Sequence, residues 1–159
     1  MSVTETSAAD STASSTGSGL TRTELAAWQG MLRVHASLMK ELDAELEAAH
    51  RLPLTSYEVL MRLAEAPERR MRMCDLADSV LLSRSGMSRL VDRLEREGLL
   101  ERDARGAYAV ITETGLELLA AARPTHHEGI RRRFLAHLSE EELEQLAALW
   151  VRIAEAQGS

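Results

Sequence analysis

The chain is poor in the residues that would make it a secreted, membrane or phosphate-cradling protein. It holds one cysteine, Cys74, which excludes an intrachain disulfide framework. No stretch approaches the length of a transmembrane helix. The N-terminus lacks a basic region followed by an apolar one, so it does not read as a signal peptide, and a cytoplasmic location is expected. Lysine is almost missing: eighteen of the nineteen basic residues are arginine. Arginine's rigid fork suits guanine edges and phosphates, although a GC-rich genome would produce the same bias. There is no glycine-rich phosphate loop, metalloprotease motif or nucleophile elbow. His126 and His127 are adjacent, so on a helix they diverge by about 100° and cannot chelate one metal well. An enzyme, a bound metal and a cofactor are therefore not expected.

What is present suits one domain with extensions. The chain has 159 residues, 45% of them apolar, and a formal net charge of −6. That charge argues against a general nucleic-acid coat protein, but its distribution is uneven. The segment 61–105 carries ten arginines against nine acids, whereas the remainder carries nine basic residues against sixteen acidic ones. Such a modest asymmetry fits specific binding by a few arginines better than bulk attraction to phosphate.

The informative stretch is Cys74–Thr112, CDLADSVLLSRSGMSRLVDRLEREGLLERDARGAYAVIT. A short helix is expected from Asp75 to about Val80, then a linker at Leu81 and Leu82. Ser83 is a natural N-cap for a second helix ending near Glu97. In that helix Met87, Leu90, Val91 and Leu94 recur at helical spacing and face a core. Arg84, Ser85, Ser88, Arg89 and Arg93 lie mostly off the stripe, free for solvent or DNA. Gly98 stops the helix. Strands at Leu99–Arg102 and Ala107–Ile111 flank a turn of Asp103, Ala104, Arg105 and Gly106. The pattern is a helix-turn-helix followed by a β-wing.

Around this centre the chain reads as follows. Residues 1–19 are rich in Ser, Thr, Ala and Gly, without periodicity, and are expected to be disordered. Thr21 or Thr23 caps a long helix to about His50, with a heptad-like seam of Leu25, Trp28, Leu32, His35, Met39, Leu42, Leu46 and Ala49. Its length of roughly 40 Å favours pairing with a second copy over packing in one small domain. Thr55 and Glu58 form an expected capping box for a helix over 56–66. Met71 and Met73 alternate with Arg70 and Arg72, hinting at a small strand that could pair with the wing. Cys74 falls where a helix N-cap belongs; it reads as an inert, half-buried thiol, with Arg72 close by as the argument for reactivity. Thr112 caps a further helix that Pro124 interrupts or kinks and that resumes to Leu138. Arg131, Arg132 and Arg133 read as a solvated face, with flanking phosphates as the alternative. Ser139 and Glu142 form a capping box for a last helix carrying Leu143, Leu146, Leu149, Trp150 and Ile153.

The text LADSVLLSRSGMSRLVDRLEREGLLER, followed by DARGAYAVITETG with its Asp-x-Arg wing, resembles the winged-helix core of the MarR family of multiple-antibiotic-resistance regulators. The resemblance extends from about Leu20 to Ala156. It implies a mainly α fold: a single domain over 20–156, with a winged helix-turn-helix at about 55–112 and dimerisation helices at about 21–50 and 113–156. It implies that Ser83, Arg84, Ser85, Ser88 and Arg89 read the major groove and that Arg105 enters the minor groove; Arg93, off the apolar stripe of the same helix, is a further candidate for DNA contact. It further implies a homodimer on pseudo-palindromic double-stranded DNA, acting as a repressor and released by a small aromatic or phenolic effector. Trp28, Met31, His35 and Tyr57 are the residues that would line such an effector pocket. Two departures stand out. Cys74 replaces a common serine, and Arg102 runs directly into Asp103, so the wing is short or lacks residues at its tip. A short wing leaves room for an alternative: an interaction module on the same fold that has lost DNA reading.

Overall fold

The computed structural model describes residues 19–80 and 82–158. The expected disorder of the N-terminal tail, apart from Gly19, and the linker residue Leu81 lie outside them. Six helices are described: α1 (Arg22–His50), α2 (Leu54–Glu65), α3 (Met73–Ser79), α4 (Arg84–Arg96), α5 (Glu113–Arg133) and α6 (Glu140–Gln157). Three short strands, β1 (Arg70–Arg72), β2 (Leu100–Arg102) and β3 (Tyr108–Ile111), form one antiparallel sheet in the order β1-β3-β2. The Met71 alternation is thus a real strand, paired with the wing as Met71↔Ala109.

Two compact units divide the chain, the first ending at Arg33 and the second running from Val34 to Ser159. In the first, Thr21 caps α1: its Oγ accepts from Glu24 N at 3.2 Å while Glu24 Oε2 accepts from Thr21 N at 2.7 Å. Leu25, Trp28 and Leu32 of the seam are exposed there, Trp28 to 54%.

The second unit contains the core. Leu42 and Leu46, from the other end of the seam, are buried in it at 3% and 0% exposure. The seam is therefore not one continuous interface between copies, because its C-terminal part is spent inside the subunit. Leu60 and Leu63 of α2, Leu76 of α3, Met87, Val91 and Leu94 of α4, Leu100, Ala109 and Ile111 of the sheet, and Leu119 and Ala122 of α5 belong to the same cluster. Gly115 lets α5 reach the start of β2: a Cβ there would collide with the Leu99 carbonyl and the Ile111 side chain.

Several local expectations are corrected. Thr55 and Glu58 do not box α2. The helix begins at Leu54 behind Pro53, and its first N–H donates to Asp43 Oδ1 of α1 at 2.8 Å. A carboxylate eleven residues earlier in the chain has taken the capping role. Helix α3 starts at Met73, with Arg72 at the N-cap position and no side-chain cap, so Cys74 lies inside the helix rather than capping it. Pro124 does not interrupt α5, which is continuous to Arg133 and stops short of the expected Leu138; a 3-10 turn at Leu135–His137 follows. The arginine run is exposed at Arg131 and Arg132, as expected of a solvated face, but it also carries ion pairs. Arg132 Nη2 and Arg133 Nη2 both reach Glu45 Oε1, at 2.5 and 2.6 Å, and Arg133 also pairs with Glu41 at 3.2 Å. These bonds hold the Glu45 carboxyl below its ordinary pKa, Arg133 contributing most. The Ser139–Glu142 capping box forms as expected, with bonds of 2.8 and 3.2 Å.

Candidate nucleic-acid interface

Helix α4 is built to show one face. Ser83 Oγ accepts from Gly86 N at 3.1 Å, satisfying one of the N–H groups that the first turn leaves unpaired. Met87, Leu90, Val91 and Leu94 are all buried, which fixes the rotation of the helix about its axis. Arg84, Ser85, Ser88 and Arg89 are consequently exposed on the opposite side. Arg84 and Ser88 are one turn apart, as are Ser85 and Arg89, so the four side chains form a compact patch at the N-terminal half of α4. Helix α3 lies before it, and Leu82 N donates to Ala77 O at 3.1 Å across the turn.

Arg93 is differently placed. Its Nη2 donates to Ser56 Oγ of α2 at 2.7 Å, and its Nε lies 4.0 Å from Glu97. Ser56 is fully buried, so the arginine satisfies a hydroxyl that would otherwise be orphaned.

The wing is short and tightly tied. After Gly98, whose φ of +74° suits the helix exit, β2 pairs with β3 through Leu100↔Ile111, Glu101↔Val110 and Arg102↔Ala109. Asp103 organises the turn. Its N–H donates to Tyr108 O at 3.0 Å, its carbonyl accepts from Gly106 N at 2.8 Å, and its Oδ1 accepts from Ala107 N and Tyr108 N at 2.8 and 3.1 Å. Arg105 is exposed at the tip. On the far strand, Tyr108 OH accepts from Arg72 Nε at 3.0 Å, and the Arg70 guanidinium sits 4.1 Å from the Tyr108 ring centroid. The Arg72 hydrogen bond holds the Tyr108 phenol below its ordinary pKa.

Sequence reasoning passed over Arg102. Its Nη2 reaches Asp92 Oδ1 at 2.7 Å, its Nη1 reaches Glu95 Oε2 at 3.0 Å, and its backbone N–H donates to Glu95 Oε1 at 3.2 Å. The signal was available: two acids three apart on one face of α4, a glycine stop, then an arginine on the first wing strand. A cleft of about 430 Å³, lined by Cys74, Arg84, Ser88, Arg102 and Gly106 among others, separates the start of α4 from the wing turn. Cys74 is exposed rather than half-buried, its thiol 3.5 Å from Asp75 Oδ1.

The expected effector residues fall in different settings. Trp28 and Met31 belong to the first unit, Trp28 exposed and Met31 half-buried. In the second unit His35 is exposed, near the Glu58 carboxyl. Burial raises the pKa of that carboxyl, and the charges of Arg62 and His35 oppose the rise. Tyr57 is buried at 1% exposure, its ring 4.5 Å from that of His126. Burial raises the Tyr57 pKa and lowers that of His126, whose neighbour His127 lowers it further. Neither Tyr57 OH nor His126 Nδ1 has a hydrogen-bond partner of ordinary geometry. Among the described residues no cluster of side chains could hold a metal ion, and no helix is long and apolar enough to cross a membrane.

Comparison with known proteins agrees with this architecture. The family model described as "MarR family" matches residues 52–107, which span α2 to the end of the wing turn. The HTH-type transcriptional regulator MhqR of Bacillus subtilis (strain 168) is 29% identical over 126 residues, covering 76% of this chain and 84% of that protein. The crystal structure of AbsC, a MarR family transcriptional regulator from Streptomyces coelicolor, is 37% identical with a TM-score of 0.79, over 89% of this chain and 99% of that one. Sco3205, a MarR family transcriptional regulator from the same organism solved in complex with DNA, is 32% identical with a TM-score of 0.79, over 87% and 94%. A winged helix-turn-helix flanked by helices from both chain ends, shared over nearly the whole length of relatives this similar, makes the chain a member of the MarR family of DNA-binding transcriptional regulators.

Proposed function

We propose that the protein is a homodimeric, sequence-specific repressor that binds a pseudo-palindromic operator and is released by a small aromatic or phenolic effector. The observation that carries the reading is the exposed patch of Arg84, Ser85, Ser88 and Arg89 on a helix whose rotation is fixed by four buried side chains. Arginine forks onto guanine, and serine accepts or donates to several base edges, so the patch suits direct readout in the major groove. Ser83 caps the reading helix, and Arg105 at the wing tip reaches the adjacent minor groove. Arg93, engaged by Ser56 and Glu97, plays a supporting part. The relative Sco3205, solved in complex with DNA, supports the same use of this fold here.

The exposed apolar rows of α1 (Leu25, Trp28, Leu32) and of α6 (Leu149, Trp150, Ile153) call for cover, and a second copy supplies it. Selection of bound duplexes from a random library tests the reading. One pseudo-palindrome with half-sites about 34–36 Å apart is expected, and no enrichment would overturn it. The compact wing favours a second reading, an interaction module without DNA recognition, and the same selection decides between the two.

For the effector, Trp28 and Met31 in the first unit and His35 and Tyr57 in the second each offer chemistry that a small-molecule site uses: aromatic area, a thioether or a polar group. An effector acts only if it favours the state that does not bind DNA. Titrating the operator complex with simple phenolic acids should release wild-type protein, and release Trp28→Ala protein less readily. Equal release of both would place the ligand elsewhere.

A further inference from the structure

Arg102 stands between the two parts of the proposed interface and makes three bonds to the exposed carboxylates of α4. Its guanidinium spans two carboxylates of α4, Asp92 and Glu95, and its own backbone N–H is held by the second oxygen of Glu95. The strand and its side chain are thus fastened together to the reading helix. The side chain is 23% exposed, against 51% and 40% for Asp92 and Glu95, so the arginine is the enclosed member of the three. A planar guanidinium bonded through its two Nη atoms to two carboxylates, with its own backbone tied to one of them, is restrained in angle as well as distance. The wing has little slack elsewhere. Asp103 closes its turn with four hydrogen bonds, and Arg72 and Arg70 hold Tyr108 on the other strand.

The place of the clamp on α4 matters too. Asp92 lies one turn beyond Ser88, and Ser88 one turn beyond Arg84, so the clamped carboxylates continue the row that begins with the proposed reading residues. The wing is therefore fixed to the reading helix directly, in addition to its anchorage in the body of the domain through β1 and the buried Leu100, Ala109 and Ile111. In a long wing the tip finds its groove by bending. In this one only four residues separate Arg102 from Ala107, and the direction of Arg105 is inherited from the strand that Arg102 fastens.

We propose that Arg102 is a positioning residue: it locks wing and reading helix into one rigid block, and so sets where Arg105 meets the minor groove without touching DNA itself. The inference rests on the reading in which Arg105 serves the wing contact. A wing arginine favours the narrow minor groove of A·T-rich steps, so its contribution is read as the ratio of affinities for operators with A·T-rich and G·C-rich flanks. A ratio cancels any uniform loss, whether from partly unfolded protein or from the carboxylates left bare.

The experiment measures that ratio, and the ratio for a mutated major-groove position, in wild type, Arg102→Gln, Arg105→Ala and the double variant. Arg102→Gln is expected to lose the flank preference by about tenfold, the scale of one lost base-pair contact, while keeping the major-groove ratio. The double variant should match Arg105→Ala, since a wing without its arginine has nothing left to misplace. Additive losses in the double variant, or a flank ratio unchanged in Arg102→Gln when Arg105→Ala abolishes it, would overturn the positioning role. A flank ratio unchanged in Arg105→Ala would instead remove the wing reading on which the role depends.

Discussion

Arg93 and Ser56 join the reading helix to α2 through a hydrogen bond of 2.7 Å, and the serine, 1% exposed, has almost no surface on which to exchange it for water. Arg93 therefore differs in kind from Arg84 and Arg89, which are exposed on the same helix. Replacing Arg93 with alanine strands a buried hydroxyl and should cost about 1–3 kcal/mol of unfolding free energy. Arg84→Ala and Arg89→Ala should leave stability within about 0.5 kcal/mol. Urea unfolding of the three variants checks this, and equal stabilities would show that the Ser56 bond contributes nothing net.

Two glycines separate a rigid close approach from a yielding one. A methyl group on Gly115 would meet the Leu99 carbonyl and the Ile111 side chain, whereas on Gly129 it would meet the ends of the Leu42 and Glu45 side chains. Backbone cannot step aside as a side chain can. Gly115→Ala should cost at least about 3 kcal/mol and Gly129→Ala about 1–2 kcal/mol, the upper and lower parts of the overpacking range. Thermal or urea unfolding that reversed this order would contradict the packing described for the start of α5.

The contrast between local and distant causes also explains what the sequence disclosed. Ser83, Gly98, Thr112 and the Ser139–Glu142 box act on backbone within three residues, and each does what its position suggests. The buried stripe of α4 follows from spacing alone. Thr55 and Glu58 had the right spacing for a box, but Asp43 reached the helix start first from α1. The ion pairs of Arg132 and Arg133 were not legible because their partner, Glu45, is 87 and 88 residues away in the chain. Arg102 was overlooked for the same reason on a smaller scale, since its carboxylates lie across the helix-to-strand turn. Periodicity shows which face is buried, not which neighbour buries it.

The split seam of α1 makes two variants behave differently. Leu42 is buried inside the subunit, so Leu42→Glu places an unpaired charge in the core and should unfold the protein at any concentration. Trp150 of α6 is 45% exposed, so Trp150→Glu should leave a folded chain that sediments as a monomer. Sedimentation with circular dichroism checks both. A folded Leu42→Glu protein, or a Trp150→Glu protein that stays dimeric, would contradict the assignment of these faces.

His126 predicts a pH dependence. Burial against Tyr57 on α2, with His127 beside it on α5, disfavours its charged form, so its pKa in the folded protein lies below that in the unfolded chain. The stability linked to this shift is complete above the unfolded value of about 6.5 and is lost as pH falls from there through the folded value. His126→Phe keeps the ring contact but removes the titration. Between pH 7 and 5 its unfolding free energy should fall less steeply than that of wild type. Parallel slopes would show that His126 titrates alike in both states.

The central claim is that the N-terminal face of α4 reads base sequence, and binding of wild type, Arg84→Ala and Arg89→Ala to cognate and scrambled duplexes at one salt concentration tests it most directly. An arginine that forks onto a guanine is worth about 1–3 kcal/mol on the cognate site and little on a scrambled one. At least one variant should therefore lose affinity for the cognate duplex by that amount while binding the scrambled duplex as before. Unchanged cognate affinity in both variants, or an equal loss on both duplexes, would contradict the account.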